Sequence, residues 1–210
     1  MTPIRRALTL LCALALSGCA TLASITDATT PLNAYSLRAP AEPPAIRGSL
    51  GQDLVIATPT SSGALDTDRV LIRPGPFEVA YLPRARWTDS TPVMLQTLMI
   101  RSFADTGAMR YVGRRPLGGR GDFTLVSDLT DFQADVAPDG ETVTARARLT
   151  VRLLRESDGQ ILGSRTVQTT APAASTDTGD VVAALDTATT AALREITIWT
   201  LRRLGVGVSG

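Results

Sequence analysis

Apolar and polar residues take turns along "VTARARLTVRLL". Val143, Ala145, Ala147, Leu149, Val151 and Leu153 point one way, and Thr144, Arg146, Arg148, Thr150 and Arg152 point the other. A period of two marks a strand with one buried and one wet face. Pro138-Asp139-Gly140 precedes the run and Ser157-Asp158-Gly159 follows it; the Gly in each accepts the positive φ of a tight turn. The pattern predicts three long antiparallel strands: "DFTLVSDLTDFQADV", "ETVTARARLTVRLL" and "GQILGSRTVQTT". In the simplest register Asp131 sits opposite Arg146, with Asp135 near the same face, so an acidic row pairs with a basic row across a wet surface.

Shorter strands are expected upstream. They are "AYSLRAP" (34–40), "DLVIATP" (53–59), "VLIR" and "FEVAYL" across Pro74-Gly75-Pro76, and "MRYVG". "SSGALDTDR" and "RRPLGGRGD" (114–122) read as loops. Two stretches carry helical spacing instead. In "STPVMLQTLMIRSFADTG", Thr91 is the expected N-cap and Pro92 the first helical residue. Leu95, Leu98, Met99 and Phe103 form its apolar side, Thr97, Arg101 and Asp105 lie opposite, and Gly107 ends it. With Arg101 as its one basic residue, it reads as a helix docked on a sheet rather than on a membrane. In "TGDVVAALDTATTAALREITIWTLRRLG" the stripe is Val181, Leu185, Ala188, Ala192, Ile196 and Trp199. Asp180 near its start and Arg202 and Arg203 near its end suit the helix dipole, and Gly205 is the expected stop. Trp87 and Trp199 read as core anchors rather than ligand platforms. The expected fold is α+β: a mainly antiparallel sheet packed by two amphipathic helices, in a single domain.

The first residues break this pattern. Arg5 and Arg6 precede an apolar run from Ala7 to Leu16. That run is too short to span a bilayer, which takes ~20 residues, and it fits a signal-peptide core. Leu16-Ser17-Gly18-Cys19 follows, and it resembles the lipobox of bacterial lipoproteins. The small pair fits a protease groove, and the Cys19 thiol is the nucleophile that takes a diacylglyceryl group. The competing reading is an ordinary secretory signal with a chance cysteine. Cleavage before Cys19 discards Cys12, the only other cysteine, so no internal disulfide is expected in an oxidising periplasm. Each buried methylene of an acyl chain contributes ~0.8 kcal/mol and stable anchoring takes about two chains; an N-acylated diacylglyceryl cysteine supplies three. In lipoproteins an Asp after the Cys signals inner-membrane retention, so Ala20 favours the inner leaflet of the outer membrane. The expected organisation is a signal peptide at 1–18, a lipidated N-terminus and tether at 19–32, the folded domain at 33–205 and a C-terminal tail at 206–210.

Composition narrows the chemistry. Net charge is +1 over 210 residues, which argues against a general nucleic-acid binder. There is no His, and every one of the 21 basic residues is Arg. Mechanisms that need an imidazole, a Schiff-base amine or a phosphate-binding lysine are excluded, as are zinc sites built on His or clustered Cys. No cofactor is implied. Among what remains, Asp128, Asp131 and Asp135 could be imagined as catalytic acids, although strand faces carry such residues routinely. Arg146, Arg148 and Arg152 could hold phosphate headgroups, or form a solvated face neutralised by Asp131 and Asp135. Arg114, Arg115 and Arg120 in the glycine-rich loop could cradle an anion or headgroup. The same loop contains Arg120-Gly121-Asp122, an integrin-type tripeptide short enough to occur by chance.

The order of parts carries a resemblance. A lipobox and a Tyr-Ser-Leu strand come first, and "RARW" leads into the "PVMLQTLMIRSF" helix. The hairpins around "FTLVSDLTDFQADV" and "ARLTVRLLRESDGQILGSRTV" follow, then a helix ending in "REITIWTLRRL". Over residues 33–204 the chain resembles the ABC-type transport auxiliary lipoprotein family. The family often has two adjacent aromatics where this chain has Ala34-Tyr35. The resemblance implies a non-enzymatic lipoprotein at the periplasmic face of the outer membrane, engaging an MCE-domain periplasmic protein of an ABC lipid transporter. Membrane contact through the anchor, phospholipid and a second copy of the chain complete the candidate partners. Two other readings stay open: an assembly or pilot lipoprotein of another envelope machine, serving lipopolysaccharide insertion or a secretin, and a periplasmic hydrolase using carboxylates.

Overall fold

The computed structural model describes residues 31–119 and 121–209. The leader, Leu16, Ser17, Gly18, Cys19 and Arg120 lie outside the described residues. From Ala34 onward the chain folds as one unit. In chain order its strands are β1 (Asn33–Tyr35), β2 (Ala45–Arg47), β3 (Leu50–Ile56), β4 (Thr60–Ser61), β5 (Arg69–Gly75) and β6 (Glu78–Trp87). Helix α1 (Thr91–Ala104) and β7 (Met109–Gly113) come next. Then follow β8 (Phe123–Val136), β9 (Val143–Arg155), β10 (Gln160–Pro172), α2 (Thr178–Arg203) and β11 (Gly207–Ser209). This is the expected α+β class, with two helices on one side of a sheet.

The long hairpins form as the alternation requires, and the even-numbered side of β9 stays wet while Val143 to Leu153 go to the core. The register differs from the simple expectation. Asp131 opposes Arg148, and Arg146 faces Gln133. The cause is the turn. Asp139 accepts from the backbone N–H groups of Glu141 and Thr142 at 2.9 Å each, and Gly140 takes φ +73°. Pairing therefore resumes at Val136–Val143, with the turn centred one residue later than a Pro138-Asp139 tip. A second irregularity lies between Leu129 and Asp131. Buried Phe123, Leu125 and Leu129 sit at odd positions, whereas Phe132 and Ala134 sit at even ones. A bulge at Thr130 returns both sets to the same face.

The sheet is mainly antiparallel, as expected, with parallel pairing on one edge of β8 and between β3 and β7. One edge of β8 pairs with β9 along its whole length. Its other edge receives β3 at Phe123–Leu125, β4 at Asp128–Leu129 and β5 at Ala134–Asp135, all parallel to it. β7 adds to β3 in parallel, β6 to β5 antiparallel, and β1 to β6. β5 and β8 thus run to the same end, so the β5–β6 and β8–β9 turns project side by side.

The core is one cluster between this sheet and both helices. Fully buried Trp87 packs on Phe132 with ring centres 6.0 Å apart. Burying a side chain the size of Phe132 or Leu149 contributes roughly 1.5–3 kcal/mol. Leu95, Leu98, Met99 and Phe103 of α1 are buried as their spacing requires. The cap of α1 is Ser90, not Thr91; Thr91 is already helical and its hydroxyl donates to the Thr67 carbonyl at 3.1 Å. Gln96, an unmarked polar position, is buried and donates to the Ile56 carbonyl of β3 at 2.8 Å.

Helix α2 ends in a Schellman arrangement. Gly205 has φ +85°, its N–H donates to the Arg202 carbonyl, and the Val206 N–H donates to the Leu201 carbonyl at 2.9 Å. The chain then pairs again as β11 against β2, where the sequence suggested only a tail. The first strand is shorter than "AYSLRAP" because the Arg38 N–H is taken by the Asp186 carboxylate at 2.8 Å instead of by a neighbouring strand. Trp199, expected in the core, is only half buried.

Candidate functional site

The wet face of β8–β9 holds the Arg and Asp rows singled out in the sequence. Arg152 meets Asp128 at 2.6 Å and Arg146 meets Asp135 at 2.8 Å. The Gln133 amide donates to both Asp131 and Asp135 at 3.3 Å. The Thr60 hydroxyl also donates to Asp128. That hydrogen bond first, and the Arg152 guanidinium second, hold the Asp128 carboxyl below the usual carboxylate range. A general acid needs the opposite shift. The face is an ion-paired ladder in which Arg148 is exposed and makes no ion pair among the described residues.

Of the arginines in the glycine-rich loop, Arg114 and Arg115 are among the described residues. Arg114 donates to the Thr97 hydroxyl of α1 at 2.6 Å, and Arg115 is exposed. Asp122, the acid of the adhesion-type tripeptide, serves the fold. It accepts from the Asp53 N–H at 2.8 Å and lies 3.6 Å from Arg110, which is itself paired with buried Asp53 at 2.8 Å. Among the described residues no group of His, Cys, Asp and Glu could hold a metal ion, and no helix is long and apolar enough to cross a membrane.

The conspicuous surface lies where the two hairpin turns meet. Gly75 pairs with Glu78, so Pro76 and Phe77 form the tip of β5–β6. Phe77 is 100% exposed, and Val79 and Tyr81 continue an apolar stripe along the outer side of β6. A groove of about 580 Å³ runs between this tip and the β8–β9 turn, lined by Arg73, Pro74, Pro76, Val136 and Pro138, with Asp135 at its side. Glu78, Asp139 and Glu141 are exposed around it. A free aromatic thus stands beside a largely apolar groove that Arg73 and Asp135 flank. Sequence reasoning passed over Phe77. The available signal was an aromatic next to Pro76 at a turn, where a core residue has nothing to pack against.

Comparison with known proteins agrees with the order of elements. The family model of the ABC-type transport auxiliary lipoprotein component matches residues 35–197. The chain belongs to this family. A related chain in Bradyrhizobium diazoefficiens, the uncharacterized protein bll6063, is 29% identical over 170 residues, which is 80% of this chain and 44% of that one. The chain thus spans under half the length of that relative. The crystal structure of protein XCC0632 from Xanthomonas campestris superposes with a TM-score of 0.75 at 29% identity, covering 82% of this chain and 97% of that one. A second crystal structure, of an uncharacterized protein, shares the fold at a TM-score of 0.62 and 14% identity, covering 81% and 99% of the two chains.

The family's match begins at Tyr35 and ends at Thr197, within α2. It contains both hairpins and the groove between their tips. It also contains "DGQILGSR", whose residues have physical duties here. Asp158 pairs with Arg155 at 2.9 Å, Gly159 takes φ +67°, and Arg165 pairs with Glu195 of α2 at 2.5 Å. A Cβ on Gly163 would stand 3.1 Å from the Arg203 guanidine nitrogen and 3.2 Å from the Trp199 ring.

Proposed function

We propose that this auxiliary lipoprotein is the non-enzymatic outer-membrane component of an ABC/MCE-type intermembrane lipid transport system. Acyl chains on Cys19 hold it at the periplasmic face of that membrane, and the folded body docks the periplasmic MCE assembly. The family membership of residues 35–197 carries this reading. Two observations support it. The carboxylate with the clearest environment, Asp128, is held ionised by Thr60 and Arg152 and has no proton to give near neutral pH. The double-hairpin end instead presents a free aromatic, an apolar groove and acidic neighbours. A partner with a basic-rimmed apolar cleft would complement that end in shape and sign.

The test is affinity purification of the chain from crosslinked envelopes, with the captured proteins identified by mass spectrometry. The reading expects an MCE-domain protein, with its permease and ATPase in weaker yield. Capture of barrel-assembly, lipopolysaccharide-insertion or secretin components in their place would assign the protein to another envelope machine.

A further inference from the structure

The outer side of α2 beyond its midpoint serves neither the core nor the hairpin end. Arg194, Ile198 and Arg202 follow one another at four-residue spacing, with Glu195 and Trp199 beside them, and Arg165 reaches across from β10. Together they line a shallow hollow of about 460 Å³. The Trp199 ring rests over Gly163, where a Cβ would displace it, and its other side stays open. Glu195 is occupied by Arg165 through two contacts of 2.5 and 3.0 Å. Arg194, Arg202 and Arg203 make no ion pair among the described residues and are exposed. Their contacts are long: 3.4 Å from Arg194 to the Glu42 carbonyl and 3.5 Å from Arg202 to the Val208 carbonyl.

We infer that this side of α2 is a second membrane attachment, with Trp199 and Ile198 at the apolar boundary of a bilayer and Arg194, Arg202 and Arg203 on anionic phospholipid headgroups. The inference rests on the reading of Cys19 as the acylated residue. A half-open indole beside unpaired guanidiniums has the amphipathic make-up of a membrane-interface contact. Its sign matches an anionic leaflet, whereas the acidic hairpin end does not. Chain geometry permits it. From Cys19 to the start of β1 there are 14 residues, which extend to at most roughly 50 Å at ~3.5 Å each. Arg194 meets the Glu42 carbonyl, seven residues after β1, and Arg38 meets Asp186, so the segment that follows β1 runs along α2. Acyl chains hold the protein at the membrane in any orientation, and this contact selects the orientation that leaves the helix down.

The experiment uses the full lipidated chain in vesicles of brominated phosphatidylcholine, with and without phosphatidylglycerol. Emission from Trp199 is taken as the difference between wild type and Trp199→Phe; fully buried Trp87 supplies the constant background. Trp199 is expected to be quenched at least about twofold in the anionic vesicles. The double variant Arg194→Glu/Arg202→Glu, which still floats with vesicles through its acyl chains, is expected to lose that quenching. Unquenched Trp199 in a chain that floats overturns the inference and leaves the anchor intact. Equal quenching without phosphatidylglycerol, or in the charge-reversed variant, overturns the assignment to anionic headgroups. A chain that does not float refutes the acyl anchor separately, and quenching by an excess of the same anionic vesicles then still decides for or against the α2 contact.

Discussion

Arg38 and Asp186, 148 residues apart, are joined through three hydrogen bonds. The Arg38 backbone N–H donates to one carboxylate oxygen of Asp186 at 2.8 Å, and its guanidinium donates twice to the other at 2.6 and 3.0 Å. The carboxylate is nearly buried while the Arg38 side chain is open to solvent. This contact fixes the first segment after β1 along α2 and ends β1 where it does. Asp186→Ala strands a backbone donor and should cost roughly 1–3 kcal/mol. Asp186→Asn keeps the acceptor for that donor and should cost less. Thermal unfolding of the two variants checks the order; equal losses would mean the backbone bond contributes nothing.

The acid limb of stability follows from three aspartates. The Asp128 carboxyl is held down first by Thr60 and then by Arg152. The Asp139 carboxyl is held down by the Thr142 and Glu141 amides and the Thr142 hydroxyl, and that of Asp158 by Arg155 and the Gln160 amide. Each binds its proton less tightly folded than unfolded, where a carboxyl titrates near pH ~3.9. Their contribution is complete above that value and disappears as pH falls through the lower, folded values. With no His in the chain, no side chain of ordinary pKa titrates between about pH 5 and about pH 8. Melting temperature should therefore be flat across that window and fall below about pH 4, and Asp128→Asn should make the fall shallower. A slope between pH ~5 and ~8 would contradict this.

Gly163 has a role that its position in a strand conceals. With Arg203 and Trp199 only 3.1 and 3.2 Å from where a Cβ would stand, Gly163→Ala should push the indole slightly outward. The cost is about 1 kcal/mol, since the exposed Arg203 can move more freely than the half-buried ring. Trp emission should shift to the red. An unchanged spectrum would show that the ring does not rest on the strand.

Phe77 contributes nothing to the core, so Phe77→Asp should change stability by no more than about 0.5 kcal/mol. If the double-hairpin end is the docking surface, the same change should reduce partner capture at least about tenfold, as expected for an aromatic anchor. Normal capture by a normally folded Phe77→Asp chain would move the docking surface elsewhere.

Local pattern made much of this legible. The alternation of β9, the Asp158-Gly159 turn and the apolar stripe of α1 rest on neighbours within a few residues and form as read, whereas the turn at Asp139-Gly140 forms one residue later than its simplest register. Parallel pairing of β3, β4 and β5 on one edge of β8 was not legible, because it joins segments far apart that carry no mark of their partner. The bulge at Thr130 was legible in principle: Leu125 and Leu129 keep odd spacing, Phe132 and Ala134 keep even spacing, and one inserted residue reconciles them. β2 and β11 are three residues each, too short for a period. Trp199 and Phe77 were misjudged or missed for one reason. Apolar character was equated with full burial, whereas Phe77 is wholly exposed and Trp199 packs against the core with only part of its ring covered.

The proposed role depends on covalent chemistry at Cys19, and the intact mass of the chain extracted from bacterial envelopes tests it most directly. The expected result is a mature protein beginning at Cys19, heavier than its sequence by a diacylglyceryl group and one further acyl chain. A chain that retains residues 1–18, or one that begins elsewhere without added acyl mass, would contradict it.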